Sequence, residues 1–420
     1  MVPVHVTACS VVSSVGVGCD PLVSALHEMR SGLRPGDFDP SRTGGFTGRV
    51  DGIESQPLPE SLKRFDCRNH RLANAALGAD GFDRAVARAS SRYGADRVAV
   101  LVGTSTSGIL TTEKAYRERQ ADGALPPWFD YWHAHNYGAL PDFVRERLGV
   151  SGPVQCVSTA CSSSAKVAAA AARWLALGLC DAAVVGGVDS LCGTTLHGFH
   201  SLQVVSDEAC RPFDVDRSGI SLGEAAAFLL LELDPQAGSQ AGRQAGRQAK
   251  AQAHSQRRGE KRSDRTAMLL GYGESADAWH MSAPHPEGLG AIGSMSAAMQ
   301  GSGLRADQID FTCAHGTATR ANDEIESRAI CSVLGSGAVV TSTKGTTGHT
   351  LGAAGALSAV VAVLAIERGF VPGTVNTVTV DKACPVSVPL ETRQQAVAGV
   401  MVNAFGFGGN NCSLVFGAGA

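Results

Sequence analysis

"VSTACSSSAKVAAAAARW", residues 157–174, sets one cysteine between a β-prone run and a long alanine-rich stretch. Val154 to Thr159 reads as the end of a strand, and Ser162 to Leu179 is made of good helix formers. Cys161 therefore stands where a strand hands over to a helix N-terminus. Unpaired N–H groups and a positive field at such a place favour thiolate over thiol. They can also hold an oxygen that turns negative when the sulfur attacks. The small neighbours in "TACSSS" let substrate and backbone approach closely. A buried cysteine packed at a junction is the competing reading, and position alone does not separate the two.

The same texture extends in both directions. "RVAVLVGTS" (97–105), "DAAVVGGVDS" (181–190) and "AAAFLLLEL" (225–233) read as buried strands. So do "AMLLGYGES" (267–275), "DFTCAHGT" (310–317), "AVVTSTKG" (338–345) and "GVMVNAFGFGG" (399–409), and the N-terminus reads as a first strand and turn. Helix candidates lie between them at 69–90, 162–179, 290–300, 321–334 and 352–368. Strands buried on both faces and separated by helices imply a layered α/β architecture. The rhythm runs once before residue 235 and again after 266, which suggests two similarly built halves without a clear sequence repeat. They are taken as residues 1–235 and 266–420. The tract between them, "QAGSQAGRQAGRQAKAQAHSQRRGEKRSDR" (236–265), is of low complexity and carries eight Lys/Arg against Glu260 and Asp264. It reads as a solvated insertion on which little function depends.

Bulk properties exclude several classes. The chain has 420 residues, 18% charged, with a formal net charge of −3, which offers no basic nucleic-acid surface. No uninterrupted apolar run reaches the ~20 residues of a membrane span, and the N-terminus lacks a secretory pattern, so a cytoplasmic protein is expected. No pair of the twelve cysteines has C-x-x-C spacing, so no structural zinc site is expected, and a large cytosolic protein needs no disulfide framework.

Two histidine motifs raise the standing of Cys161. "AHGTATRANDEIE" puts His315 just after an apolar strand, with Thr317 and Thr319 beyond it. "STKGTTGHTLGAAG" puts His349 beside a helix start, with Lys344 near and with Gly348 and Gly352 making room for something. Asp323 and Glu326 can fix that lysine or cap the helix after His315. "NAFGFGGNN" (403–411) alternates glycine with phenylalanine, as a loop swinging an aromatic gate would. "GISLG" (219–223) matches the serine-hydrolase string around Ser221, but a polar stretch precedes it and a strand follows, so it is no nucleophile elbow.

Together these segments resemble the β-ketoacyl-[acyl carrier protein] synthases of the thiolase-like superfamily. The likeness rests on "STACSSS", "CRPFDVDRSGISLGEAA", "AHGTAT", "STKGTTGHTLGAAG" and "NAFGFGGNN", in family order across nearly the whole chain. It implies a five-layered αβαβα fold of two pseudo-equivalent halves, usually a homodimer. It implies that Cys161 accepts the acyl group and that His315 and His349 serve malonyl decarboxylation. Lys344 lies beside them with Glu326 as its ionic partner and Asp323 in support. Phe407 is the gate, and its N–H joins that of Cys161 in an oxyanion hole. Thr317 and Thr319 hold the phosphopantetheine arm of the carrier, and no other cofactor is implied.

Within the family, "ESADAWHMSAPHPEG" (274–288), "GTSTSG" (103–108) and "LHGFHSLQ" (196–203) look most like synthases of aryl polyene pigment clusters. That implies elongation of a conjugated acyl chain, with Thr106, Phe199 and Phe405 along its tunnel. A fatty-acid-elongating synthase is the alternative. A non-catalytic chain-length partner is disfavoured by the presence of Cys161 and both histidines. The resemblance implies an acyl carrier protein as partner, and either a homodimer or a pairing with a ketosynthase-like chain-length partner. Lys63, Arg64, Arg68 and Arg71 form a basic group suited to an acidic carrier, or else an ordinary solvated helix face.

Overall fold

In a computed structural model of the protein, which describes residues 1–36, 38, 45–233 and 266–419, the apolar runs pair into two five-stranded halves. The first comprises β1 (Val4–Ser13), β2 (Val98–Gly103), β3 (Val154–Val157), β4 (Ala182–Asp189) and β5 (Ala225–Leu233). The second comprises β6 (Ala267–Ala276), β7 (Phe311–Cys313), β8 (Val340–Thr341), β9 (Gly399–Gly406) and β10 (Asn410–Ala418). In space the first runs β3-β2-β4-β5-β1 and the second β8-β7-β9-β10-β6. In each, the first three strands are parallel and the last two pairings antiparallel. The halves thus repeat strand for strand although the sequence shows no repeat. They meet where β1 pairs with β6 through Val4↔Leu269 and His5↔Met268.

Helices fill the layers around the sheets. α1 (Arg68–Gly78), α2 (Phe82–Tyr93) and α3 (Ala139–Leu148) cover the outer face of the first half. α4 (Ser163–Ala176) and α7 (Ala354–Arg368) lie between the halves and touch strands of both. α5 (Leu289–Ser302) and α6 (Arg320–Leu334) cover the outer face of the second half. The result is the five-layered αβαβα fold. The central layer explains the alanine-rich sequences, because small side chains let a helix approach two sheets at once. In α7 every residue from Ala354 to Ile366 is buried. The segment Leu351–Arg368 is apolar enough to cross a membrane by composition, but 89% of it is buried inside the protein, as a core helix.

Four local readings differ from the sequence expectation. The helix expected over 69–90 is two helices, broken where Asp80 and Gly81 take φ 54° and 70°. The run 338–345 keeps strand form only at Val340–Thr341, and Lys344–Thr347 makes a helical turn. The expected gate loop is strand up to Gly406, so only a tight turn separates β9 from β10. β10 is not readable in the sequence because asparagines and a serine interrupt its apolar pattern, yet it pairs with β9 and β6 on its two sides. The insertion 236–265 lies outside the described residues.

Candidate active site

Three chain segments converge from the two halves. After β3 the chain turns at Ala160, in the left-handed region at φ 51°, and delivers Cys161 to the start of α4. The Ala160 carbonyl is held by the Ser105 and Ser163 hydroxyls, at 3.0 and 2.6 Å. The equivalent turn of the second half, before α7, carries His349, with Leu351 at φ 50°. Its N–H donates to His349 Nδ1 at 3.1 Å, so the neutral ring bears its proton on Nε2. The backbone of His349 is pinned to the first half, donating to Ser221 O at 2.7 Å and accepting from Gly223 N at 2.9 Å. His315 follows β7, where Glu326 accepts the His315 and Gly316 N–H groups at 2.8 Å each. Lys344 Nζ donates to the His315 carbonyl.

The side chains meet tightly. Cys161 Sγ and one nitrogen from each imidazole lie within 4.8 Å of one another. The two rings stand edge to face, 5.2 Å between centroids at 83°. They open on a cavity of about 140 Å³ that Phe199, Thr317, Thr319, Phe405 and Phe407 also line. Phe199 packs on Phe407 at 5.5 Å, closing one side with aromatic surface.

Electrostatics here are governed by burial. Burial pushes the Cys161 thiol up to about 11, against the pull of Lys344 and the N–H groups of Phe407 and of Cys161 itself. The thiolate-favouring field expected at the helix start is therefore outweighed by desolvation. Burial also holds both imidazoles well below the usual histidine range, helped by the Lys344 charge and, for His315, by His349. Both rings are neutral near pH 7. Among the described residues nothing hydrogen-bonds His315 Nδ1, so that tautomer is not fixed as His349's is.

The remaining sequence candidates fall variously. Lys344 does not ion-pair directly with Glu326; that carboxylate is taken by backbone N–H groups and by Asn322 and Asn403, each at 3.2 Å. Asp323 holds the Phe213 and Ala318 N–H groups rather than the lysine, and burial raises it to about 6. Thr319 caps α6, with its hydroxyl 2.9 Å from that of Thr317. Thr106 is not among the cavity residues: it is buried, with its hydroxyl 2.8 Å from Asp189. Gly352 makes room for Asp189 rather than for a ligand, since a Cβ there would lie 2.7 Å from Asp189 Oδ2.

Within the basic group Lys63 and Arg64 are exposed, while Arg68 and Arg71 are drawn into the fold. Arg68 is 9% exposed and locked to the fully buried Glu224 at 2.5 Å. Arg71 pairs with Asp66 at 2.6 Å, Lys63 with Glu60 at 3.2 Å and Arg64 with Glu146. Charge density in a string of residues says nothing about which acids fold against it.

Sequence reasoning missed Leu351, Asn403, Asp189 and the segment around Leu222 that pins His349. The first three act through backbone geometry or buried carboxylates, which leave no motif. The Leu222 segment is the "GISLG" string, which is no nucleophile elbow; its Ser221 is buried with its hydroxyl accepting from Cys210 N at 3.0 Å.

Residues 1–237 match the family described as beta-ketoacyl synthase, N-terminal domain, and residues 266–378 match beta-ketoacyl synthase, C-terminal domain. The 3-oxoacyl-[acyl-carrier-protein] synthase 2 of Synechocystis sp. is 31% identical over 98% of this chain and 97% of that protein. Nodulation protein E of Rhizobium meliloti is 34% identical over 89% of this chain and 88% of its own. Among solved structures, the ketosynthase ApeO in complex with its chain length factor ApeC, from Xenorhabdus doucetiae, gives a TM-score of 0.84 at 34% identity, covering 100% of this chain and 98% of that one. The ishigamide ketosynthase/chain length factor gives 0.84 at 29% identity, with both chains fully covered.

Proposed function

The chain belongs to the β-ketoacyl synthase family of acyltransferases, and from that premise we propose that Cys161, His315 and His349 condense malonyl units with a conjugated, aryl-primed acyl chain carried on an acyl carrier protein. The observation that carries the residue roles is the meeting of one sulfur and two neutral imidazoles within 4.8 Å in one cavity.

In the first half-reaction the Cys161 sulfur attacks the carrier thioester. Its proton ends on the departing carrier thiol, and the acyl group rests on sulfur as a thioester that is still electrophilic. His349 cannot take the thiol proton, because Leu351 occupies Nδ1 and Nε2 already bears hydrogen. His315, whose tautomer no hydrogen bond at Nδ1 fixes, has a nitrogen free to accept and is the group assigned to relay it. The N–H groups of Cys161 and Phe407, which favour the ionised sulfur, serve the adjacent oxyanion in this reading.

In the second half-reaction the malonyl carboxylate leaves as CO₂, and the bonding pair passes to the thioester enolate. His349 Nε2–H and the His315 ring donate to the enolate oxygen. The enolate carbon then forms the new C–C bond at the Cys161 thioester, and the sulfur leaves and regains a proton. Each step balances without a metal or redox cofactor, so we propose none. Sulfur and imidazole nitrogens are also zinc ligands; in this reading the ring N–H groups are spent on the enolate instead.

The conjugated substrate is favoured by the ApeO likeness, by Phe199 and Phe407 on the cavity, and by His280, Ser282 and Pro284 of the "ESADAWHMSAPHPEG" segment at its lining. Fatty-acid elongation is the second reading, favoured by the 3-oxoacyl-[acyl-carrier-protein] synthase 2 relatives. A ketosynthase-like chain-length partner is proposed from the two solved complexes. Tyr116, Trp128, Tyr131 and Trp132 are exposed in one stretch where such a chain could sit. The deciding experiment feeds the purified protein malonyl carrier with saturated, polyenoic or aryl-primed acyl carriers and weighs the products. Turnover of the aryl-primed polyene well above the saturated chain supports the proposal; the reverse order assigns fatty-acid elongation.

A further inference from the structure

The end of β4 holds a buried carboxylate that the chemistry above does not use. Asp189 is 0% exposed and does not line the cavity. Five donors satisfy it: Thr104 Oγ1 at 2.7 Å, Ser105 N at 2.9 Å, Thr106 N at 2.9 Å, Thr106 Oγ1 at 2.8 Å and Gly352 N at 2.5 Å. Four come from the turn after β2 in the first half, and the fifth comes from the turn before α7 in the second. Burying a carboxylate in this way is costly unless its hydrogen bonds are complete, so the two turns and the anion hold one another in place.

Each turn leads directly to a reacting group. On one side, the Ser105 hydroxyl donates to the carbonyl of Ala160, the residue before Cys161. On the other, Gly352 follows Leu351, whose N–H fixes His349 Nδ1. Ala160 and Leu351 are both non-glycine residues at φ near 50°. Such conformations are strained and persist only where the surroundings over-determine them. At position 352 a Cβ would approach Asp189 Oδ2 to 2.7 Å and Ser105 N to 2.9 Å, so the join between the halves requires glycine there.

We propose that Asp189 is a positioning residue that ties the Cys161 turn to the His349 turn and thereby fixes the sulfur-to-imidazole geometry used in condensation. The inference rests on the reaction assigned above, but the geometric part of it is tested without turnover. Asp189→Asn keeps the volume and turns part of the acceptor into a donor facing N–H groups. It should lower condensation kcat about 100-fold, the cost of a displacement of about 1 Å, while KM for malonyl carrier stays within about threefold. Alkylation of Cys161 by iodoacetamide, per folded molecule, should not fall by more than about threefold, since it needs the sulfur and not the second histidine, and loss of the Asp189 charge that pushes the thiol up favours the thiolate. Ser105→Ala leaves the carboxylate intact and loosens only the cysteine side; Gly352→Ala drives the two turns apart at their contact, pressing on Asp189 and Ser105 together. Each should lower kcat about tenfold or more with the same split.

Parallel loss of alkylation and condensation, or wild-type kcat per folded molecule, overturns the proposal. If Asp189→Asn does not fold, Ser105→Ala and Gly352→Ala decide it, and wild-type kcat in both overturns it. A crystal structure of whichever variant folds provides the readout that does not depend on activity: the Cys161–His349 separation should grow by about 1 Å, and an unchanged separation overturns the clamp. A wild-type protein that condenses nothing, with its variants showing the enlarged separation, would refute the assigned reaction and leave the clamp standing.

Discussion

A thiol held up to about 11 and two imidazoles held neutral by burial share one small cavity, and each state has a measurable consequence. Alkylation of Cys161 should rise about tenfold per pH unit from pH 7 to 9, because the thiolate fraction does so below the thiol pKa; a plateau near pH 7 would show an activated thiolate instead. Condensation should not fall as pH drops through 6.5, where an ordinary histidine would protonate. The same depression has a sign for stability. Below pH 6.5 the unfolded chain takes up protons that the buried rings refuse, so stability is lost as the medium is acidified, by about 1.4 kcal/mol per pH unit for each ring. Denaturant midpoints at pH 7.5 and 5.5 check this, and equal midpoints would contradict it. Cys161, His315 and His349 were legible because the sequence shows both residue type and place at a strand end. The ring tautomer of His349 was not, because it depends on where the Leu351 N–H points.

Among the elements, the β9–β10 hairpin is the one most directly tied to access. Its turn passes through Phe407, and Gly408 and Gly409 follow at φ 81° and 74°. A Cβ at Gly409 would meet Asp277 Cβ at 2.8 Å. Gly409→Ala should therefore displace Phe407 and slow acylation of Cys161 by the bulky carrier about tenfold or more, while sparing alkylation by small iodoacetamide; equal effects on both would place the fault elsewhere. On the outer face, Arg68 begins α1 as the buried partner of Glu224. Arg68→Glu should cost about 3–5 kcal/mol in urea unfolding, as breaking a buried pair does. An unchanged midpoint with weakened carrier binding would support the docking role that its sequence neighbourhood suggests. β4 and β5 were readable from their unbroken apolar runs. The two-residue β8, the break between α1 and α2, and β10 were not, since pairing partners distant in sequence define them.

At the level of the whole molecule, the site exists only where the halves meet: the first half brings Cys161 and the Leu222 segment, and the second brings both histidines and Phe407. The repeat of strand order that creates this meeting was legible as a rhythm of elements and invisible as residue identity, because layer packing constrains burial and size more than side-chain type. β5 and β6 flank β1, with Val4 opposite both Leu233 and Leu269, and Thr266 lies three residues before Leu269, so two strand spacings across and three rises along put the ends bracketing the insertion about 14 Å apart. A Gly/Ser linker of about six residues in place of 236–265 spans that gap. It should leave the thermal midpoint and turnover essentially unchanged; loss of either would give the insertion a role. The central claim, that Cys161 carries the acyl chain across this junction, is tested most directly by intact-protein mass spectrometry after incubation with acyl carrier protein. The account predicts one acyl adduct, mapped to the Cys161 peptide, absent in Cys161→Ala and discharged when malonyl carrier is added. An adduct on another residue, or one that malonyl carrier leaves in place, would contradict it.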